Sequence, residues 1–284
     1  MNEVYLQKKE QLDDALLNVV SSYINKDNDL HDAMHYAVSA PGKRIRGVLT
    51  LLFCEKLGVA HEQAMPFAVA LEMIHAYSLV HDDMPEMDND AFRRGIPTCH
   101  KKYGPAAALL AGDAVLNFSM EYLLKNRELY QPSRFLNALD CLYSAAGFDG
   151  MLGGQAIDKA CENRMITLDL LHKLHSKKTG ALLLAPIQIA ECLSDTKAEN
   201  YANYSKHIGL AFQIKDDILD VKGDSAILGK TVGKDQEENK STFVTLMGLE
   251  AAEEYLKKEL AAATALTDDA LLLWIAAYIG TREK

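Results

Sequence analysis

Two acidic constellations in the chain could hold a divalent cation. The first to be read is Phe212-Gln213-Ile214-Lys215-Asp216-Asp217-Ile218-Leu219-Asp220. On a helix, Gln213, Asp216, Asp217 and Asp220 are related by i, i+3, i+4 and i+7 and form one polar stripe. Like charges at these spacings repel by a few tenths of a kcal/mol per pair, and a bound cation removes that cost. Hard oxygen ligands suit Mg²⁺, which takes one or two protein carboxylates and completes its shell with water and phosphate oxygens. Taken alone, the stripe is more readily a solvated acidic face.

A second cluster changes that weighing. His81-Asp82-Asp83-Met84-Pro85-Glu86-Met87-Asp88-Asn89-Asp90 closes an apolar segment that begins at Ala68. Asp82 and Asp88 are six residues apart and cannot share a face of a regular helix. Pro85 disfavours helix at Met84, and a break there could return Asp88 to Asp82. His75 lies seven residues before Asp82, on the same stripe. A calcium loop of the EF-hand type is excluded, because its Gly and Glu positions are not filled from Asp82, Asp83 or Asp88.

Positive charge recurs beside the carboxylates. Gly42-Lys43-Arg44-Ile45-Arg46 reads as the opening of a helix, with Lys43 and Arg46 on one face. Arg93-Arg94 follows the first acidic cluster in the chain. Lys177-Lys178-Thr179-Gly180 interrupts an apolar helical segment, and Lys230, Lys234 and Lys240 follow Asp220. Arg makes bidentate contacts to phosphate, and Lys acts as a movable point charge. Each group alone is more often a solvated face. A diphosphate bridged by Mg²⁺ accounts for both signs together. Gly223 to Gly229-Lys230-Thr231 is no P-loop, having five intervening residues and following a helix. The glycines of Gly150-Met151-Leu152-Gly153-Gly154-Gln155 make no dinucleotide fingerprint and are read as close helix approaches.

The elements that must position these residues are helical. Apolar residues recur at three- and four-residue intervals near 3–25, 43–57, 61–82, 104–125, 131–147, 167–190, 197–221, 240–264 and 267–279. The expectation is an all-α fold of about ten helices, with most prolines, Pro66 among them, at element ends. No linker or repeat divides residues 1–284, so a single domain is expected. The longest irregular stretch is 222–239, and loops of that length are usually functional.

Composition removes other classes. The 284 residues are 49% hydrophobic and 25% charged, which excludes a disordered chain. A net charge of -10 argues against nucleic acid as partner, since that needs a basic surface. The 5 Cys are scattered without a Cys-x-x-Cys, so neither a disulfide framework nor a zinc site is expected. Met1 to Glu10 lacks the apolar region of a signal peptide, and the longest apolar stretches are too short for a bilayer. The reading is a cytoplasmic chain with no membrane span.

With these residues in hand, the chain resembles the bacterial-type trans-isoprenyl diphosphate synthases, most closely the branch that makes farnesyl diphosphate. The resemblance runs from about Gly42 to Arg282 and is carried by motifs in family order: Gly42-Lys43-Arg44-Ile45-Arg46, Ile74-His75-Ala76-Tyr77-Ser78-Leu79-Val80-His81-Asp82-Asp83, Asp88-Asn89-Asp90, Arg93-Arg94-Gly95-x-Pro97-Thr98, Gly153-Gly154-Gln155, Lys178-Thr179-Gly180 and Phe212-Gln213-x-x-Asp216-Asp217-x-x-Asp220. It implies helices around a deep central cavity and a homodimer. It implies Mg²⁺, about three ions per site with Mn²⁺ as a substitute, held by Asp82, Asp88 and Asp216, with Asp83, Asp217, Asp220 and Asp235 direct or through water. It assigns Arg93, Lys178, Thr179, Gln213, Lys230 and Lys240 to the allylic diphosphate. It assigns Gly42, Lys43, Arg46, His75 and Arg94 to isopentenyl diphosphate. The implied reaction is head-to-tail prenyl transfer by ionisation, condensation and elimination. No dedicated side-chain base is implied, since the released diphosphate takes the proton, and no nucleophile–base pair is identifiable.

The resemblance assigns the cavity floor to Tyr77, an aromatic that goes with a fifteen-carbon product. Helical arithmetic instead puts Ser78 below Asp82. Alternatives are synthases of the ten- or twenty-carbon product and, more remotely, a terpene cyclase or a non-catalytic regulatory subunit. Gly47 departs from the family pattern, which has Pro after Arg46.

Overall fold

The periodicity read along the chain becomes helix through nearly all of the computed structural model, which describes residues 2–23, 29–222 and 240–282. Among the described residues the strands are Phe92–Arg93 (β1) and Ile96–Pro97 (β2), an antiparallel pair turning at Gly95, whose φ of 80° suits glycine. The fold is all-α, as expected. The chain divides into two compact units, Glu3–Asn137 with Cys192–Asp195, and Ala138–Glu191 with Thr196–Lys284.

The first unit contains α1 (Glu3–Tyr23), α2 (Asp29–Ser39), α3 (Ile45–Lys56), α4 (His61–Asp82), α5 (Cys99–Tyr103) and α6 (Pro105–Lys125). Helix α4 lacks a polar face, because it is enclosed by α3 and α6 and packs on α1 and α2. Phe67, Leu71 and Ile74 are fully buried, and each contributes about 1.5–3 kcal/mol relative to exposure. Helix α6 starts with Pro105 at its first position, after Gly104 at φ 88°. By length and composition α6 could cross a bilayer, although the sequence reading found no such stretch. Its close packing on α4 explains the apolar content: a Cβ on Gly112 would overlap the His81 ring.

The second unit holds α8 (Met151–Ala160), α9 (Leu168–His175), a π-turn at Ser176–Gly180, α11 (Glu199–Lys222), α12 (Phe243–Met247), α13 (Leu249–Thr264) and α14 (Ala270–Thr281). The chain crosses between units within α7 (Pro132–Ala146) and near the end of α10 (Ala181–Ser194). Thr167 caps α9, and Asp269 caps α14 through the Leu271 and Leu272 amides at 3.0 and 2.9 Å. Helix α11 packs on α13 and α14, where the buried Tyr204 hydroxyl donates to the Leu272 carbonyl at 2.7 Å.

Three details differ from the sequence reading. Pro66 is not at an element end but is the sixth residue of α4. Helix α3 begins at Ile45, so Lys43 precedes it and does not share a helical face with Arg46. Helices α2 and α8 lie outside the periodic stretches. Lys230, Lys234 and Asp235 lie outside the described residues.

Candidate active site

In the first unit, α4 ends at Asp82 and the chain turns back on itself. The Asp88 amide donates to the Asp82 carbonyl at 2.9 Å, and the Asn89 amide to that of Met84 at 3.0 Å. The break at Pro85 thus brings the Asp88 backbone to Asp82. Asn89 and Arg94 sit at φ 49° and 54°, and Arg44 at 53°. A left-handed conformation costs a side-chain-bearing residue about 1–2 kcal/mol, and strain of this kind gathers at functional sites.

The charges here already have partners. Buried Asp83 accepts from Arg93 Nε at 2.6 Å and Nη2 at 2.5 Å. Burial pushes the Asp83 carboxyl up to about 6 against the pull of Arg93. Arg93 also lies 3.6 Å from Asp90. Arg94 donates to the Pro41 carbonyl at 2.5 Å, and a Cβ on Gly42 would stand 2.6 Å from Arg94 Nη1. Glycine at 42 leaves room for the Arg94 guanidinium in that position. Burial, and after it Arg46 and Arg94, hold the His75 imidazole well below its usual 6.5. Neutral His75 can then accept from Arg46 Nη1 at 3.3 Å. Lys43 and Arg46 are half-buried. Gly42, Lys43, Arg46, His75 and Arg94 thus gather around one corner, where the start of α3 meets α4 and the hairpin.

Below Asp82, Tyr77 is 2% exposed, its hydroxyl is buried without a partner among the described residues, and its pKa is pushed up to about 12 by burial and then by Asp82. Ser78 is half-buried and donates to the His75 carbonyl at 2.9 Å.

In the second unit, the π-turn presents Lys178 and Thr179 beside α11. Such a turn marks a break in the α hydrogen-bond ladder and recurs at functional sites. It fits because its neighbours are glycines. A Cβ on Gly154 would stand 2.5 Å from the Lys178 Cα and 2.8 Å from the Lys177 carbonyl carbon, and one on Gly209 would stand 3.3 Å from the Gly180 Cα. The reading of these glycines as close approaches holds at Gly154. Lys178 pairs with Asp158 at 2.5 Å, and Thr179 donates to the Gln213 carboxamide.

The α11 stripe does not stand as three free carboxylates. Asp216 pairs with Arg282 at 2.7 Å, Asp217 accepts from the Phe243 amide at 2.7 Å, and buried Asp220 has one carboxylate oxygen without a partner among the described residues. An orphaned carboxylate oxygen is a plausible anchor for a cation, and the donor set is all oxygen, as Mg²⁺ requires. Among the described residues no three His, Cys, Asp or Glu side chains form a ready-made cage. Lys240, half-buried, begins the last described stretch.

Sequence reasoning missed four residues. Asp158 could have been found, since it lies one turn after Gly154 and Gln155 on α8. Glu72 is an acid inside the apolar run of α4, one turn before His75. Arg282 donates to the Phe212 carbonyl at 2.9 Å and stacks over the Phe212 ring at 3.9 Å, besides pairing with Asp216. Nothing in its local sequence signals this. Arg44 was grouped with Lys43 and Arg46, yet its guanidinium is buried and turned inward.

Comparison with known proteins adds relatives to this geometry. A family model described as polyprenyl synthetase matches residues 27–271. The chain is 43% identical over 263 residues to the farnesyl diphosphate synthase of Micrococcus luteus, covering 90% of both. It is 40% identical over 259 residues to the chloroplastic geranylgeranyl pyrophosphate synthase of Capsicum annuum, covering 90% of this chain and 69% of that one. Among solved structures, a geranyltransferase from Helicobacter pylori complexed with magnesium and isoprenyl diphosphate matches at TM-score 0.80 and 30% identity, over 98% of this chain and 96% of that one.

Proposed function

The chain belongs to the polyprenyl synthetase family and is a prenyltransferase, and we propose that it condenses isopentenyl diphosphate with dimethylallyl or geranyl diphosphate to give farnesyl diphosphate. Both units act as one catalytic domain in this reading. The observation that carries it is that each acidic set has cations within bonding distance: Asp83 with Arg93, Asp158 with Lys178, Asp216 with Arg282. Anionic substrates and cationic metals can exchange with such partners without leaving a buried charge bare.

Asp82, Asp88 and Asp216 would be the main Mg²⁺ ligands, with Asp83, Asp217 and Asp220 direct or through water. Bound Mg²⁺ supplies the positive charge that stabilises a departing diphosphate. Arg93, Lys178, Thr179 and Gln213 receive the allylic diphosphate, joined by Lys230 and Lys240. Lys43, Arg46, His75 and Arg94 hold the isopentenyl diphosphate so that its double bond meets the allylic carbon. The allylic C–O bond breaks as the leaving group is stabilised. The isopentenyl double bond then forms the new C–C bond, and a proton passes to the released diphosphate.

Tyr77 is the residue we propose to end the chain at fifteen carbons, since its ring fills the volume one to two turns below Asp82. A second reading, a twenty-carbon product, is favoured by the likeness to the Capsicum annuum enzyme. We further propose a homodimer in the cytoplasm; exposed Leu109 and Leu110 on α6 support a covered surface there. The test is product analysis with isopentenyl diphosphate and either allylic primer, with Mg²⁺ or with chelator. Mg²⁺-dependent fifteen-carbon product is expected. A twenty-carbon product would remove Tyr77 from its role, and no product from folded protein would overturn the whole reading.

A further inference from the structure

Between Lys43 and Arg46 stands a third cation, Arg44, whose partners lie within the fold. Arg44, at φ 53° and ψ 30°, occupies the cap position of α3 but makes no side-chain cap bond. Its Nε donates to Asp13 at 2.7 Å, and its Nη2 donates to the carbonyls of Val38 and Ala40 at 3.0 and 3.1 Å. Its Nη1 lies 3.7 Å from Glu72. A guanidinium used in four directions cannot also reach a substrate.

Glu72 completes the arrangement. It is 2% exposed, and its Oε1 accepts from the Gly47 amide at 2.8 Å. Gly47 is the third residue of α3, whose first amides have no partner within the helix. Glu72 therefore caps α3 from another helix. A bare carboxylate at this point would repel an anion bound at the same helix start, and Arg44 offsets that charge. Glycine at 47 suits this packing, since a Cβ there would overlap Leu12 Cδ2 and stand 3.0 Å from Glu72 Cγ.

We propose that Arg44 and Glu72 are positioning residues for the isopentenyl diphosphate subsite. They lock the left-handed turn and the first turn of α3, and so fix the spread between Lys43, Arg46 and His75. This rests on the assignment of Lys43 and Arg46 to that substrate, and the test separates the two claims.

The experiment is steady-state kinetics with each substrate varied in turn, on Arg44→Lys, Glu72→Ala, Glu72→Gln and Lys43→Ala. Glu72→Gln keeps an acceptor for the Gly47 amide and loses only the charge. The KM for isopentenyl diphosphate should rise about tenfold in Arg44→Lys and Glu72→Ala, with a smaller rise in Glu72→Gln, because loss of orientation is felt where the ligand is held. The KM for the allylic substrate and kcat should stay within about twofold. Equal movement of both KM values, or a fall in kcat alone, would reduce Arg44 and Glu72 to general scaffold and overturn the proposal. An unchanged isopentenyl KM in Lys43→Ala would instead remove the subsite assignment itself. If Glu72→Ala does not fold, Arg44→Lys and the isosteric Glu72→Gln decide the matter by the same selectivity.

Discussion

The two acidic regions are built by opposite local means. At the end of α4 a helix stops, Pro85 blocks its continuation, and the turns over residues 83–87 return Asp88 to Asp82, with left-handed Asn89 just beyond. On α11 nothing breaks: Asp216, Asp217 and Asp220 are set by uninterrupted helical spacing, and each carboxylate has its own environment. One cluster depends on backbone conformation, the other on side-chain partners. At the acidic clusters themselves, substitution of backbone-shaping residues should therefore be felt most at the end of α4, and loss of a partner most on α11.

The sharpest trial of that pairing is to remove one ligand from each side. Asp82→Ala and Asp216→Ala should each lower kcat by about a thousandfold or more, as loss of direct charge stabilisation does, while circular dichroism stays native. Near-normal turnover in either would leave a single acidic cluster in charge of the chemistry. Gly154→Ala tests whether the second unit has a backbone requirement of its own. The added methyl must displace the Lys178 backbone, and a shift near 1 Å can cost about a hundredfold. Single-turnover rates that match the parent would show the π-turn to be tolerant.

Tyr77→Ala asks about volume rather than charge. Longer products are expected by chromatography, with a stability loss of about 3–5 kcal/mol in denaturant titration for a large side chain removed from the core. An unchanged product length would make Tyr77 ordinary packing. The smallest effect concerns pH. Burial lowers His175 to about 4, so between pH 6.5 and about 4 the unfolded chain binds a proton that the folded chain refuses. Stability must then fall on acidification through that window. Buried His75 acts in the same direction. Tm measured from pH 7.5 to 5 should drop, and His175→Leu should flatten the slope; an identical slope would locate the acid sensitivity elsewhere.

Much of this was legible in the residues. The period over 61–82 marked α4 from His61 to Asp82, and the Asp216-Asp217-Asp220 stripe lies on one helix as spacing required. The glycine at 154 was readable as a close approach. Helix α2 was legible but overlooked: Leu30, Ala33, Met34, Ala37 and Val38 recur at helical spacing, and the last four are buried. Pro66 misled, since a proline early in a helix loses only one bond near the end. Lys43 misled as well, because a left-handed Arg44 starts α3 later than the basic run suggests.

What the sequence determined by itself was residue type and short-range spacing: an all-helical chain, two acidic clusters, cations close to each in the chain, and no alternative nucleophile. These are local properties, repeating every 3.6 residues, and a helix transmits them faithfully. Only the tertiary structure decided that Arg44 turns inward, that Asp158 holds Lys178, and that Arg282 reaches Asp216 from 66 residues away. Those pairings depend on burial and on where distant helices pack. A buried charge must find its partner in space, and that partner need not be near in sequence.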